Sequence, residues 1–241
     1  MADSTDRYID WKDWRDESFG NCDPLLASYY ALETGISAGS SARVLEIGYG
    51  NGSFIGWARS TGLEVFGVEL NSTLVARARA LLGDGRVFQD LHDDGLTRQA
   101  GTFSHIVAFD VIEHIRQEDL PGFFARTRSL LAADGRVILR FPNGDSPFGR
   151  INQHGDLTHV TTLGSEKLRY FARQAGFAVE SIRAPKLALS GVGLKKAFKR
   201  RLLLAGRNLV ERAVGFLYFG GRRVPMDPNY VAVLVRAQNR R

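Results

Sequence analysis

Along residues 43–183, short apolar runs alternate with longer stretches whose apolar residues recur every three or four positions. The short runs predict strands at 43–47, 63–68, 86–89, 104–109, 136–141 and 177–183, and an alternating segment at 230–236 predicts a seventh. The periodic stretches predict helices at 54–60, 72–82, 118–131 and 165–174, three of them closed by Gly62, Gly83 and Gly176. Strands that alternate with helices pair in parallel through right-handed crossovers. The expected architecture is therefore a doubly wound, Rossmann-like α/β sheet with helices on both faces. Its ligands should bind at the carboxyl ends of the strands, near the switch point beside the first.

Two segments fall outside this rhythm. Residues 1–40 carry Trp11, Trp14 and Phe19 among many acids, then a helical pattern at 25–32, and read as a helical flank or lid. An insert at 186–228 precedes the last strand of a main domain spanning 41–241. Within the insert, 194–219 has helical spacing, with Leu194, Phe198, Leu202, Ala205, Leu209, Ala213 and Phe216 on one face. Lys195, Lys196, Lys199, Arg200, Arg207 and Glu211 fall on the other. Such a basic amphipathic helix either packs its apolar face on the sheet or a second subunit, or lies on a membrane surface.

Charge sharpens this division. The chain of 241 residues is +6 overall, yet residues 1–40 are net −5, 41–185 are neutral and 186–241 are net +11. The basicity is thus almost wholly C-terminal, a surface for phosphate, nucleic acid or anionic lipid. Cys22 is the one cysteine, which excludes an internal disulfide and a multi-cysteine zinc site. With no secretory signal visible in the charged N-terminus, a cytoplasmic protein is expected, peripheral at the inner membrane face if the insert touches lipid.

The strongest chemical motif follows the first strand: Glu46-Ile47-Gly48-Tyr49-Gly50-Asn51-Gly52-Ser53. Glycines at alternate positions permit unusual backbone angles and close approach of a ligand. A dinucleotide fingerprint would place its third glycine one residue later, and Glu46 would repel a pyrophosphate. The acid suits a cofactor with a cationic amino-acid tail instead. Glu69 closes the second strand, where a carboxylate accepts hydrogen bonds from ribose hydroxyls.

With Phe109-Asp110-Val111-Ile112-Glu113-His114 after the fourth strand, the sequence resembles the class I S-adenosylmethionine-dependent methyltransferases over residues 41–183. The last block is similar to that of small-molecule O-methyltransferases. Residues 143–163 resemble members found among polysaccharide gene products. The resemblance implies an antiparallel last strand. It also implies that Glu46, Gly48, Gly50 and Gly52 line the methionine and ribose of S-adenosylmethionine, and that Glu69 holds the ribose hydroxyls. Asp90 and Leu91 would sit at the adenine, and Phe109 and Asp110 would close the pocket. The implied reaction is in-line methyl transfer to a small molecule or glycan, the polysaccharide likeness pointing to cell-envelope synthesis, while the basic amphipathic insert would suit a lipid-linked acceptor.

A weakly acidic alcohol must also lose its proton. His114, His154 and His159 are the candidate bases, with Asp110, Glu113 and Asp156 as orienting acids. The spacing of His154 and His159 is not that of a helical metal pair, and no metal is expected. There is no D-P-P or N-P-P turn at residue 110, and Cys22 lies far from any nucleophile motif, so a nucleic-acid base is disfavoured as acceptor. RNA methylation, a non-catalytic binding protein of the same fold and a homodimer stay open at this level.

Overall fold

The structure, a computed structural model, describes residues 9–189 and 193–238. Residues 1–8 of the leading flank and 190–192 of the insert lie outside the described residues. Seven strands form one sheet: β1 (Arg43–Ile47), β2 (Glu64–Val68), β3 (Val87–Phe88), β4 (Phe103–Phe109), β5 (Leu131–Pro142), β6 (Phe177–Arg183) and β7 (Asn229–Arg236). Their order is β3-β2-β1-β4-β5-β7-β6. Pairs among β1 to β5 are parallel, and β7 runs antiparallel between β5 and β6. The chain leaves β1 toward β2 and β3, then crosses back to β4 and β5, so the switch point falls between β1 and β4 as expected.

Eight α-helices are described: α1 (Pro24–Thr34), α2 (Ser53–Ser60), α3 (Ser72–Leu82), α4 (Asp94–Thr97), α5 (Leu120–Leu130), α6 (Gly149–His154), α7 (Ser165–Gln174) and α8 (Leu194–Tyr218). Local chemistry sets several ends. Asp23 caps α1 by accepting from Leu25 and Leu26 N–H at 2.8 and 2.9 Å, Pro24 opens it, and Gly35 closes it in a left-handed conformation. Asn71 caps α3 in the same way, through Thr73 and Leu74. Two short helices escape the sequence reading, because α4 and α6 offer too few residues to show a period. The chain also enters β5 at Leu131 rather than after the Asp134-Gly135 turn, with a register shift against β4.

Strand residues alternate between two cores. Leu45, Ile47, Ile106, Ala108, Val137 and Leu139 face α5 and α7. Val44, Val65, Val107, Phe109 and Ile138 face α1, α2 and α3, joined by the aromatic group of Tyr30, Phe54 and Trp57. Helix α8 contributes no residue to either core.

The leading segment is pressed onto α2. A Cβ at Gly56 would stand 1.7 Å from the carbonyl oxygen of Gly20, and Gly20 N–H donates to Asn51 O at 2.9 Å. Only glycine permits that approach. Gly56→Ala is expected to cost about 1–3 kcal/mol through overpacking. It should lower the unfolding midpoint, and an unchanged midpoint in chemical denaturation would show that residues 14–20 do not seat there.

Candidate active site

Two adjoining cavities open at the carboxyl ends of β1, β2 and β4. One, of about 660 Å³, is lined by Gly48, Glu69, Asp90, Leu91 and Phe123 among others. The second, of about 480 Å³, is lined by Glu46, Tyr30, Arg140, Asp156 and His159 among others. Trp14, Gly48, Gly50, Asp110 and His114 line both, and so stand at their junction.

The loop from β1 to α2 shapes the junction. Gly48, Gly50 and Gly52 have φ of +66°, +50° and +71°, in the region where a side chain is strained. A Cβ at Gly50 would lie 2.6 Å from the Trp14 ring, and one at Gly52 2.7 Å from the Phe19 ring. Gly50 and Gly52 therefore each do two things: they turn the chain, and they let an aromatic of the leading segment settle on the backbone, whereas at Gly48 the space is taken by Val111.

Acids gather around this loop. Glu69 accepts from Gly50 N–H at 3.2 Å and from Asn71 N–H at 3.1 Å, which ties the end of β2 to both the glycine loop and the α3 cap. Burial raises its pKa. Glu46 is buried, its Oε2 has no hydrogen-bond partner in the structure, and burial together with Glu69 raises its pKa well above the ordinary carboxylate value. Across the junction Asp110 has a left-handed φ of +57°. Arg140 holds it there, with Nε donating to Oδ1 at 2.9 Å, Nη2 donating to Oδ2 and Arg140 O accepting from Asp110 N–H at 2.8 Å. The guanidinium also lies over Tyr29 and Phe109, 5.5 and 5.3 Å from their ring centres. Phe109 itself stacks on Tyr30. Asp90 is exposed and accepts from His92 N–H at 2.7 Å, while the Leu91 carbonyl is anchored by Arg126.

The structure brings His114 and His159 together and leaves His154 apart. The two rings meet edge to face, 4.6 Å between centres. His154 ends α6 with its side chain turned to solvent, and it lines neither cavity. Thr158 Oγ1 donates to Asp156 Oδ1 at 2.5 Å and lies 2.9 Å from His114 Nδ1. A hydroxyl has one hydrogen. With it given to Asp156, His114 must donate from Nδ1 and carry its lone pair on Nε2. Burial and the neighbouring His159 lower the His114 pKa, which keeps the ring neutral. Asp156 is in turn paired with Lys12 of the leading segment at 2.8 Å. Burial alone would raise Asp156, but Lys12 and Thr158 together hold it below the usual carboxylate range.

Glu113, His114 and His159 each place a ligand atom within 4.8 Å of the other two. Glu113 is buried, neither of its carboxylate oxygens has a hydrogen-bond partner although Oε1 lies 3.9 Å from His159 Nε2, and burial followed by Asp110 raises its pKa. This is a donor set for a divalent ion. The Lys12 charge paired beside it opposes one.

Lys12, Trp14, Arg140 and Thr158 are site residues that sequence reasoning missed. Arg140 had a signal, as a lone base inside the apolar run Val137–Phe141 needs a partner. Thr158 and Lys12 had none.

The sheet order and the glycine loop beside two strand-end acids define a nucleoside-binding α/β enzyme. The chain belongs to the methyltransferase-domain family, whose model matches residues 22–182. No curated protein matches it. Solved structures share its fold. One is an S-adenosylmethionine-dependent methyltransferase from Archaeoglobus fulgidus, 18% identical over 96% of this chain and 99% of that one, with a TM-score of 0.64. Another is a TehB-like methyltransferase from Corynebacterium glutamicum, 18% identical over 96% and 97%, TM-score 0.57. A third is phosphoethanolamine N-methyltransferase 2 of Haemonchus contortus in complex with S-adenosyl-L-methionine, 18% identical over 98% of this chain and 60% of that one, TM-score 0.58. Family and fold together make the chain a class I S-adenosylmethionine-dependent methyltransferase.

The cradle fits that cofactor. The unpartnered Glu46 oxygen asks for a cation, and the glycine loop is open to a ligand. Because the Glu46 pKa is raised and only its ionised form attracts an ammonium, cofactor affinity should weaken as pH falls through that raised pKa. Calorimetric titration across pH should show this slope in the wild type and lose it in Glu46→Gln. Glu69→Ala should weaken binding by about 1.5–3 kcal/mol through lost charge-assisted hydrogen bonds; unchanged affinity would remove Glu69 from the site.

Proposed function

We propose that the enzyme O-methylates a small-molecule or glycan acceptor that carries an apolar, lipid-like part. The observation that carries the reading is the chain Lys12–Asp156–Thr158–His114, which holds an imidazole that lines both cavities at their junction.

In this reading the larger cavity takes the cofactor, with Glu69 at the ribose hydroxyls, Asp90 and Leu91 at the adenine, and Glu46 and Gly48 to Gly52 around the methionine. Bound there, S-adenosylmethionine supplies an electrophilic methyl group. The smaller cavity takes the acceptor. His114 Nε2 removes the hydroxyl proton as the oxygen attacks, and the developing imidazolium is balanced through Thr158 by Asp156. Phe109 and Asp110, locked by Arg140, form the wall that aligns donor and acceptor. His159 orients His114 by ring contact, its own Nδ1 fixed by Gln153 O at 3.2 Å. Trp14 covers the junction and excludes water, so the leading flank serves as a lid.

An apolar part of the acceptor is supported by the loop beside the smaller cavity, where Phe148, Ile151, Leu157 and Val160 are all exposed. Glycan acceptors of cell-envelope polysaccharide synthesis have this composite character when lipid-linked.

His114→Ala should lower turnover by about 10²- to 10⁴-fold while leaving cofactor affinity unchanged. The wild-type kcat/KM should rise with pH through a pKa below the ordinary imidazole value and then level off, because the base acts when neutral. Thr158→Val should move that inflection. Turnover that tracks wild type in His114→Ala would sink the assignment. Methyl-labelled cofactor incubated with enzyme and cell extract should place label in lipid or glycan; label in RNA would replace the acceptor class. Chelation with EDTA should leave turnover intact, since the Lys12–Asp156 pair already sets a cation near His114.

A further inference from the structure

Helix α8 is packed inside out. Its apolar residues Leu194, Phe198, Leu202, Leu209 and Phe216, which share one face, are 65 to 92% exposed. The face turned to the protein joins half-buried Ala197, Leu204 and Val214 with a set of polar contacts. Glu211, buried, accepts from Arg223 Nε at 2.7 Å and from Met226 N–H at 3.0 Å. Arg207 pairs with Asp227 at 2.7 Å, and Arg200 donates to the Ala188 carbonyl. Gly215 lets the strap at Arg222 come close, as a Cβ there would stand 2.7 Å from its carbonyl oxygen. The strap is pinned to the body through Asn143, which donates to the carbonyls of Pro225 and Asp227, and Ser146, which donates to that of Met226. The helix is thus held firmly by polar contacts while its hydrophobic stripe points away from both cores. Of the two readings open from sequence, packing of that stripe on the sheet is excluded.

Charge identifies what covers it. Lys195 and Lys199, expected on the opposite face, instead stand at the margin of the stripe, Arg201 and Arg212 flank or punctuate it, and all four are exposed. The only acid of the helix, Glu211, is buried on the opposite side. Two copies joined face to face through α8 would set these cations against their own equivalents, with no carboxylate between them. A layer of anionic headgroups over acyl chains matches both properties, bases at the rim and apolar residues at the centre. No described helix is long and apolar enough to cross a membrane, so the contact lies in the plane of the surface.

We propose that the outward face of α8 docks the enzyme on an anionic lipid bilayer, with Phe198, Leu202, Leu209 and Phe216 in the headgroup–acyl boundary and Lys195, Lys199 and Arg201 on lipid phosphates. The inference stands on α8 alone and is independent of the acceptor reading.

The test is co-sedimentation of the full chain with vesicles of phosphatidylcholine, with and without phosphatidylglycerol. The wild type should sediment with the anionic vesicles and stay in solution with the neutral ones, and added salt should weaken binding. Lys195→Gln with Lys199→Gln and Arg201→Gln should reduce partitioning by about tenfold or more. Phe198→Ser with Leu202→Ser and Phe216→Ser should abolish it. Both triple variants alter exposed side chains, so their unfolding midpoint and cofactor affinity should match wild type. No sedimentation of wild type with anionic vesicles overturns the proposal. So does a concentration-dependent dimer, lost in the serine variant, that persists when vesicles are present. Salt-sensitive RNA binding without vesicle binding would make the face a nucleic-acid surface and overturn it equally.

Discussion

Everything around the site depends on a backbone that comes unusually close to other groups between Gly48 and Gly56. Three left-handed glycines carry the chain from the end of β1 into α2 without a side chain in the way. Trp14, Phe19 and Gly20 fill the space that Cβ atoms would take. Fold and cover are therefore one construction. The turn that lets a ligand reach the first strand is the same turn that lets the leading segment lie across it, and neither could be altered without moving the other.

Around that turn the protein gathers carboxyl groups where burial disfavours their charged form. Glu46, Glu69 and Glu113 all have raised pKa values, with burial the largest cause in each. Arg140 is committed to Asp110. Such an arrangement is costly in an empty site. In the proposed site a sulfonium with an ammonium tail would relieve that cost, since a cation offsets the mutual repulsion of the acids.

Much of this was legible in the sequence. The seven strands follow from period and turn chemistry, as short apolar runs bounded by glycine or polar turns, while the antiparallel last strand was legible only through the family resemblance and its place between β5 and β6 was not legible at all. The glycine loop, Glu69 and the Asp110 block announce themselves by spacing. The acceptor side does not. His154 and His159 look equivalent along the chain, yet α6 turns one outward while the loop after it turns the other toward His114. The Thr158–His114 contact joins residues 44 positions apart, and Lys12 reaches Asp156 from the far end of the chain. Such pairings are products of tertiary packing and leave no local trace. For α8 the period was readable but its orientation was not. Amphipathicity tells which residues share a face, and only the polar grip of Glu211, Arg207 and Asp227 tells which face is turned in.

The Lys12–Asp156 pair links access to reactivity. Asp156 aligns the imidazole through Thr158, and the lysine that pairs with it sits two residues before the tryptophan lying over the glycine loop. Lifting that segment to exchange product for substrate would break the pair and release the alignment of the base in the same movement. In the proposed reaction an open mouth and an armed histidine are then mutually exclusive states, an interlock in which the bound methyl donor meets a competent base only behind a closed door.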